Sequence, residues 1–172
     1  MTNYMLGIDI GTTSTKAMLF NENGEVIQVE NIGYPLYTPD ISTAVQEPEE
    51  IFQAVLQAIS NIIRQHGDKQ LSFISFSSAM HSVIAMDEND QPLTPVITWA
   101  DNRSEAWAHT IKNELNGHEV YKRTGTPIHP MSPLCKIAWI VNEFPEIAAK
   151  TKKYIGIKEF IYKRLGACPS VR

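Results

Sequence analysis

The sequence is poor in cysteine. Of its 172 residues only Cys135 and Cys168 carry thiols, and they form no CxxC pair. A disulfide framework is excluded, and both read as reduced thiols of a cytoplasmic protein. Positive charge is not in excess either: 15 Lys+Arg stand against 19 Asp+Glu, a net charge of −4. That balance gives no electrostatic footprint for nucleic acid or an anionic membrane. No apolar run approaches the roughly 18–20 residues of a membrane span. The first apolar stretch holds Asp9 and has no basic lead-in, unlike a secretory signal. The five histidines, His66, His81, His109, His118 and His129, lack metal-ligand spacing, so no structural zinc site is expected. Neither GxxxxGKS/T nor a helix-opening GxGxxG is present, which removes two common nucleotide loops. There is no internal repeat or low-complexity tract.

What remains is a chain of ordinary globular composition, 43% hydrophobic and 20% charged, sized for one domain or part of a larger one. Tyr4–Ile10 and Thr15–Phe20 are apolar strand candidates joined by the turn-like Gly11-Thr12-Thr13-Ser14. Asn21-Glu22-Asn23-Gly24 is a reverse-turn signal, and Glu25–Gly33 alternates as a third strand would. Three strands linked this tightly are antiparallel neighbours. After the polar connection Tyr34–Glu47, Pro48 opens a helix. Its apolar face is Ile51, Phe52, Val55, Leu56, Ile59, Ile62 and Ile63, and it ends near Gly67. Leu71–Phe76 is then a strand, placed by the helical crossover parallel to the first sheet.

Val83–Met86 and Val96–Trp99 flank the turn-rich Asp87–Pro95 and predict a second hairpin. Arg103–Leu115 reads as a helix, as does a segment capped by Ser132, with Pro133 at its first position, running to about Phe144. Tyr154–Ile157 and Lys158–Leu165 read as a short strand and a helix. The expected class is an α/β layer fold with a mixed sheet.

The densest chemistry lies in Gly7-Ile8-Asp9-Ile10-Gly11-Thr12-Thr13-Ser14-Thr15-Lys16. An apolar strand ends on a carboxylate, turns through glycine and three hydroxyls, and then supplies a lysine. Successive N–H groups and the hydroxyls can bind phosphate oxygens, and Asp9 can hold magnesium through its waters. The alternative is a plain hairpin turn with Asp9 as a strand-end cap.

This turn resembles the DxGTT or DxGTS hairpin of actin-like ATPases and sugar kinases. A second segment, Met131-Ser132-Pro133-Leu134-Cys135-Lys136-Ile137-Ala138-Trp139-Ile140-Val141-Asn142-Glu143, resembles the first signature of the FGGY carbohydrate kinases. The resemblance runs in order to about residue 165. It implies a ribonuclease H-like (actin-like ATPase) α/β domain with a mixed sheet, incomplete relative to the family, in which ATP and sugar lie in a cleft between two such domains. It further implies that Asp9 works with Mg2+ and that Gly11, Thr12, Thr13 and Lys16 lie near the transferring phosphate of ATP.

For the substrate, Met80 and His81 fall where xylulokinase-like members carry a Met-His pair; the alternative is a histidine satisfied at a strand end. Trp99-Ala100-Asp101-Asn102-Arg103 resembles the family's WxDxR segment. Trp99 and Asp101 are expected near the sugar and Arg103 is a further candidate; alternatively Trp99 is core and Asp101 or Asn102 caps the next helix. His129-Pro130-Met131-Ser132-Pro133 resembles gluconate kinases within the family, with His129, Ser132 and Arg103 as donors to a polyhydroxy carboxylate. Otherwise that stretch is only a loop. Ile137 and Trp139 read as packing residues and Lys136 as a local charge partner.

Family members run to about three times this length. Their general-base Asp and their adenine-binding domain are expected beyond residue 172, and Ala167–Arg172 departs from the family pattern as a truncation or frame change would. Asp101 is the nearest, and a poor, substitute base. The expectation is a carbohydrate kinase for a sugar or sugar acid, gluconate first, with the 172-residue piece inactive alone. The alternatives are a xylulose or other pentulose kinase fragment, a non-catalytic fragment that binds or self-associates as a homo-oligomer, and an actin-like ATPase without a sugar.

Overall fold

The computed structural model describes residues 3–66 and 71–167. In chain order the elements are β1 (Tyr4–Ile10), β2 (Ser14–Phe20), β3 (Val26–Gly33), β4 (Val45–Gln46), α1 (Pro48–His66), β5 (Leu71–Ser78), β6 (Ile84–Met86) and β7 (Val96–Ile97). There follow α2 (Glu105–Glu114), α3 (Gly117–Thr124), α4 (Pro133–Glu143), α5 (Pro145–Lys150), β8 (Lys153–Ile155) and α6 (Ile157–Ala167). Gly67, where the first helix was expected to stop, Cys168 and the rest of the terminal stretch lie outside the described residues.

The described residues of Met1–Pro35, Glu47–Ala79 and Lys158–Arg172 form one compact unit. Its frame is a four-stranded sheet in the order β3-β2-β1-β5. The turn between β2 and β3 is set locally: the Asn21 Oδ1 accepts from the backbone N–H groups of Asn23 and Glu25, both at 3.0 Å. This Asx arrangement reverses the chain and makes β1, β2 and β3 an antiparallel meander. After α1 crosses over, β5 pairs parallel with β1, as expected. Alternation then decides burial: Leu6, Ile8 and Ile10 of β1 and Ala17 and Leu19 of β2 point inward. The apolar stripe Ile51, Val55, Ala58, Ile59 and Ile62 of α1 is buried, and α1 lies against β2 and β3.

Leu36–Gln46 and Met80–Ile157 form the second unit. Here the expected hairpin is only partly present. The segments 83–86 and 96–99 meet at a Val83–Ile97 bridge, but β6 pairs antiparallel with β8 and β7 with β4. Ladders of two or three residues are too short to stand alone, so each strand takes a distant partner that completes a core. That core joins Val83, Ile97 and Ile140, with Ile137, Trp139, Ile147 and Tyr154 packed on it. A second cluster joins Ala108, Ile111 and the buried Cys135. Ser132 precedes α4 with Pro133 at its first turn, but its side chain makes no capping hydrogen bond. Its carbonyl instead accepts from the N–H groups of Cys135 and Lys136.

Candidate functional site

In the first unit the β1–β2 turn is drawn tight by Gly11 N–H donating to Ser14 O at 2.9 Å. A Cβ on Gly11 would sit 3.1 Å from that same carbonyl, so the close approach selects glycine. Asp9 and Lys16 are directly opposite in the antiparallel register, and both are exposed. Paired residues share a sheet face, so carboxylate and ammonium stand side by side on one surface.

Sequence reasoning missed Tyr34. Its hydroxyl donates to Gly11 O at 2.7 Å, and its backbone N–H donates to Thr13 O at 3.1 Å. In a planar trans peptide the carbonyl and the following N–H point in opposite directions. Holding the Gly11 and Thr13 carbonyls toward Tyr34 therefore turns the N–H groups of Thr12 and Ser14 the other way. Burial raises the Tyr34 phenol pKa, and the nearby Asp9 charge adds to the effect against a lowering hydrogen bond from Thr15. The phenol thus stays a donor. The meander register was the available signal, because Ser14 pairs with Gly33 and so delivers the next residue to the turn.

Among the described residues no group of three or more His, Cys, Asp or Glu could hold a metal ion. Asp9 is a single exposed carboxylate. That donor chemistry fits magnesium, which keeps several waters and takes phosphate oxygens as ligands.

The second unit carries the candidate sugar-facing residues. Met80 is 69% exposed. His81 has φ 65°, a left-handed conformation that costs a non-glycine residue about 1–3 kcal/mol. Beside it the Ser82 hydroxyl oxygen accepts from Ile157 N–H at 3.0 Å. Trp99 is 46% exposed, whereas Asp101 is only 1% exposed. The Asp101 carboxylate accepts from Ala44 N–H at 3.0 Å and from Arg103, through its backbone N–H at 3.2 Å and Nε at 3.0 and 3.1 Å. Arg103 also pairs with it at 2.8 Å and stacks on Trp139, with Cζ 4.6 Å from the ring centroid. Asp101 thereby serves the protein's own backbone and holds Arg103 flat.

His129 is exposed, and its Nδ1 accepts from Met131 N–H at 3.2 Å. In the neutral ring this leaves the proton on Nε2, a donor directed away from the turn. Ser132 is 3% exposed. The Pro130 carbonyl accepts from Ser104 Oγ at 3.0 Å, which ties the two segments together. Lys136, expected to be a local charge partner, has the Asp101 charge acting on it and donates to the carbonyls of Pro130 and Met131.

Asp9 and Lys16 stand beside the Gly11–Thr13 turn, Met80 and His81 are chain neighbours, and the Ser104–Pro130 hydrogen bond joins the end of the Trp99–Arg103 segment to His129–Ser132. No helix among the described residues is long and apolar enough to cross a membrane.

Comparison with known proteins matches residues 4–167 to the FGGY family of carbohydrate kinases, N-terminal domain. A gluconokinase of Bacillus subtilis (strain 168) is 78% identical over 165 residues, covering 96% of this chain and 32% of the relative. Among solved structures, a gluconate kinase from Lactobacillus acidophilus superposes with TM-score 0.91 at 38% identity, covering 95% of this chain and 33% of that one. A ligand-bound xylulose kinase from the same organism gives 0.90 at 39% identity, covering 94% and 33%. The chain thus spans about a third of the length of these relatives.

Proposed function

The chain belongs to the FGGY family of carbohydrate kinases, and from that premise we propose that it is the phosphate- and sugar-facing portion of a gluconate kinase. The reaction moves the γ-phosphoryl group of ATP to a hydroxyl of the sugar acid. The observation that carries the substrate is the 78% identity to a gluconokinase over 165 residues. Phosphoryl transfer asks the protein for positioning and charge neutralisation more than for covalent help. Asp9 would hold Mg2+, whose charge would neutralise that of the phosphates. Thr12, Thr13 and Lys16 receive the phosphate oxygens beside Gly11, whose missing side chain leaves room for them and whose N–H is taken by Ser14 O, on a turn that Tyr34 keeps in shape.

On the sugar side, Trp99 offers an apolar ring face to C–H groups, and Met80 and His81 border the same substrate. His129 Nε2–H and the Arg103 guanidinium suit the hydroxyls and carboxylate of gluconate. Asp101 and Ser132 act from behind, through Arg103 and the start of α4. No residue here is assigned the general base, because Asp101 is committed to Arg103 and the Ala44 N–H. The isolated 172-residue chain is accordingly expected to bind but to turn over little. The proposal includes a cytoplasmic setting and self-association of the isolated chain.

A pentulose such as xylulose is the second reading, favoured by the 39% identity to the ligand-bound xylulose kinase. Thermal unfolding with gluconate, xylulose or glycerol, with and without Mg2+–ATP, separates the two. A ligand at 100 times its Kd stabilises the folded state by about 2.7 kcal/mol. A shift selective for gluconate supports the proposal, one selective for xylulose replaces it, and no shift with any polyol removes sugar binding from this chain.

A further inference from the structure

Lys136 has no exposed surface, although it stands in the first turns of α4 with an ammonium group to place. Burying that charge costs far more than burying a methionine of the same length. Packing alone therefore gives no reason for a lysine. Its hydrogen bonds do: Nζ donates to Pro130 O at 2.9 Å and to Met131 O at 2.6 Å. These carbonyls belong to two consecutive peptide planes of the turn that carries His129.

The other side of each plane is bonded to His129. Met131 N–H, opposite the Pro130 carbonyl, donates to His129 Nδ1 at 3.2 Å. Ser132 N–H, opposite the Met131 carbonyl, donates to His129 O at 2.8 Å. Carbonyl and amide of one peptide cannot rotate independently. A hold on the Pro130 carbonyl is therefore a hold on the imidazole, and a hold on the Met131 carbonyl is a hold on the His129 backbone.

We propose that Lys136 is the positioning residue for His129: by clamping the Pro130–Met131 and Met131–Ser132 peptides it fixes the ring's orientation and its Nε2–H tautomer, and so presents a single donor to the sugar acid. The assignment of that donor to a sugar acid rests on the function proposed above; the clamp itself does not.

The charge state of Lys136 gives the clamp a pH dependence. Burial pulls its pKa down to about 8, against the opposing pull of Asp101, and of Cys135 beside it on α4. Arg103 is paired on Asp101, and His129 lies across the turn. As pH rises through about 8, the charge-assisted bonds to the two carbonyls weaken and the clamp loosens. Global stability responds with the opposite sign. The folded pKa lies below the unfolded 10.5, so the unfolded chain binds more protons between about 8 and 10.5, and this group's contribution to stability rises with pH there.

The test is 15N NMR of His129 in the 172-residue chain from pH 7.5 to 9.5, with gluconate titrations, for wild type, Lys136→Met and Ser104→Ala. The expected result is one Nε2–H tautomer in wild type that becomes mixed with a midpoint near pH 8. Lys136→Met should be mixed at every pH and bind gluconate roughly tenfold more weakly. Ser104→Ala removes the other donor to the Pro130 carbonyl while the lysine still holds both peptides, and should shift the tautomer less than Lys136→Met does. A folded Lys136→Met with an unchanged tautomer overturns the proposal, and a wild-type signal flat across the range overturns its pH dependence. If Lys136→Met does not fold, Lys136→Gln, which cannot supply an ammonium to both carbonyls, is read in its place, and an unchanged tautomer there overturns the proposal. A tautomer that responds to Lys136 in a chain that takes no gluconate supports the clamp and overturns the sugar reading.

Discussion

At the scale of single residues, Tyr34 controls a turn 23 positions earlier with one hydroxyl and one amide. Tyr34→Phe removes the hydroxyl and leaves Gly11 O without that donor. The expected cost is about 1 kcal/mol of stability, read by urea denaturation. Titration of Mg2+–ATP should show about a fivefold loss of affinity from the loosened turn. An unchanged nucleotide affinity in the folded variant would separate Tyr34 from phosphate binding. The residues of the turn were legible in the sequence because glycine, hydroxyls, carboxylate and lysine lie within ten positions. Tyr34 was not, because an aromatic just after a strand looks like core until the register of the meander places it.

Among the elements, the meander, α1 and the parallel β5 followed from local pattern, and the short elements of the second unit did not. α3 and α5 escaped because each is under nine residues, too short for a 3.6-residue period to declare itself. β6 and β8 were recognisable as strands but not as partners, since 67 or more positions separate Ile84–Met86 from Lys153–Ile155. The α2–α3 corner supplies a prediction. Asn116 there has φ 56°, and a Cβ on Gly117 would lie 2.6 Å from both Ile111 O and Lys112 Cα. These are backbone atoms that cannot swing aside. Gly117→Ala should therefore cost about 1–3 kcal/mol in urea denaturation. A neutral result would mean that the corner opens without strain.

For the whole molecule, the sheet order leaves β3 and β5 as the edges of the four-stranded sheet. Val26, Ile27 and Val29 on β3 and Phe73 on β5 are exposed apolar residues at those edges. An edge of this composition is a template for pairing with another chain. Sedimentation velocity should show an average mass that grows with concentration, and Val29→Lys should lower it by charging the β3 edge. A monomer at all concentrations would remove self-association from the account.

The α/β class, the three-stranded opening, the long amphipathic helix and the position of every motif follow from local sequence pattern. All of these depend on interactions within about twenty residues, where periodicity and turn chemistry act directly. The tertiary structure alone decided which motif residues face outward. Asp101 is sealed by the N–H of Ala44, 57 positions away, and Ser132 lies buried at the start of α4. Lys136 donates from its buried ammonium to two carbonyls. Burial and hydrogen-bond partnership depend on which distant segments pack together, and residue identity at one position carries no record of that.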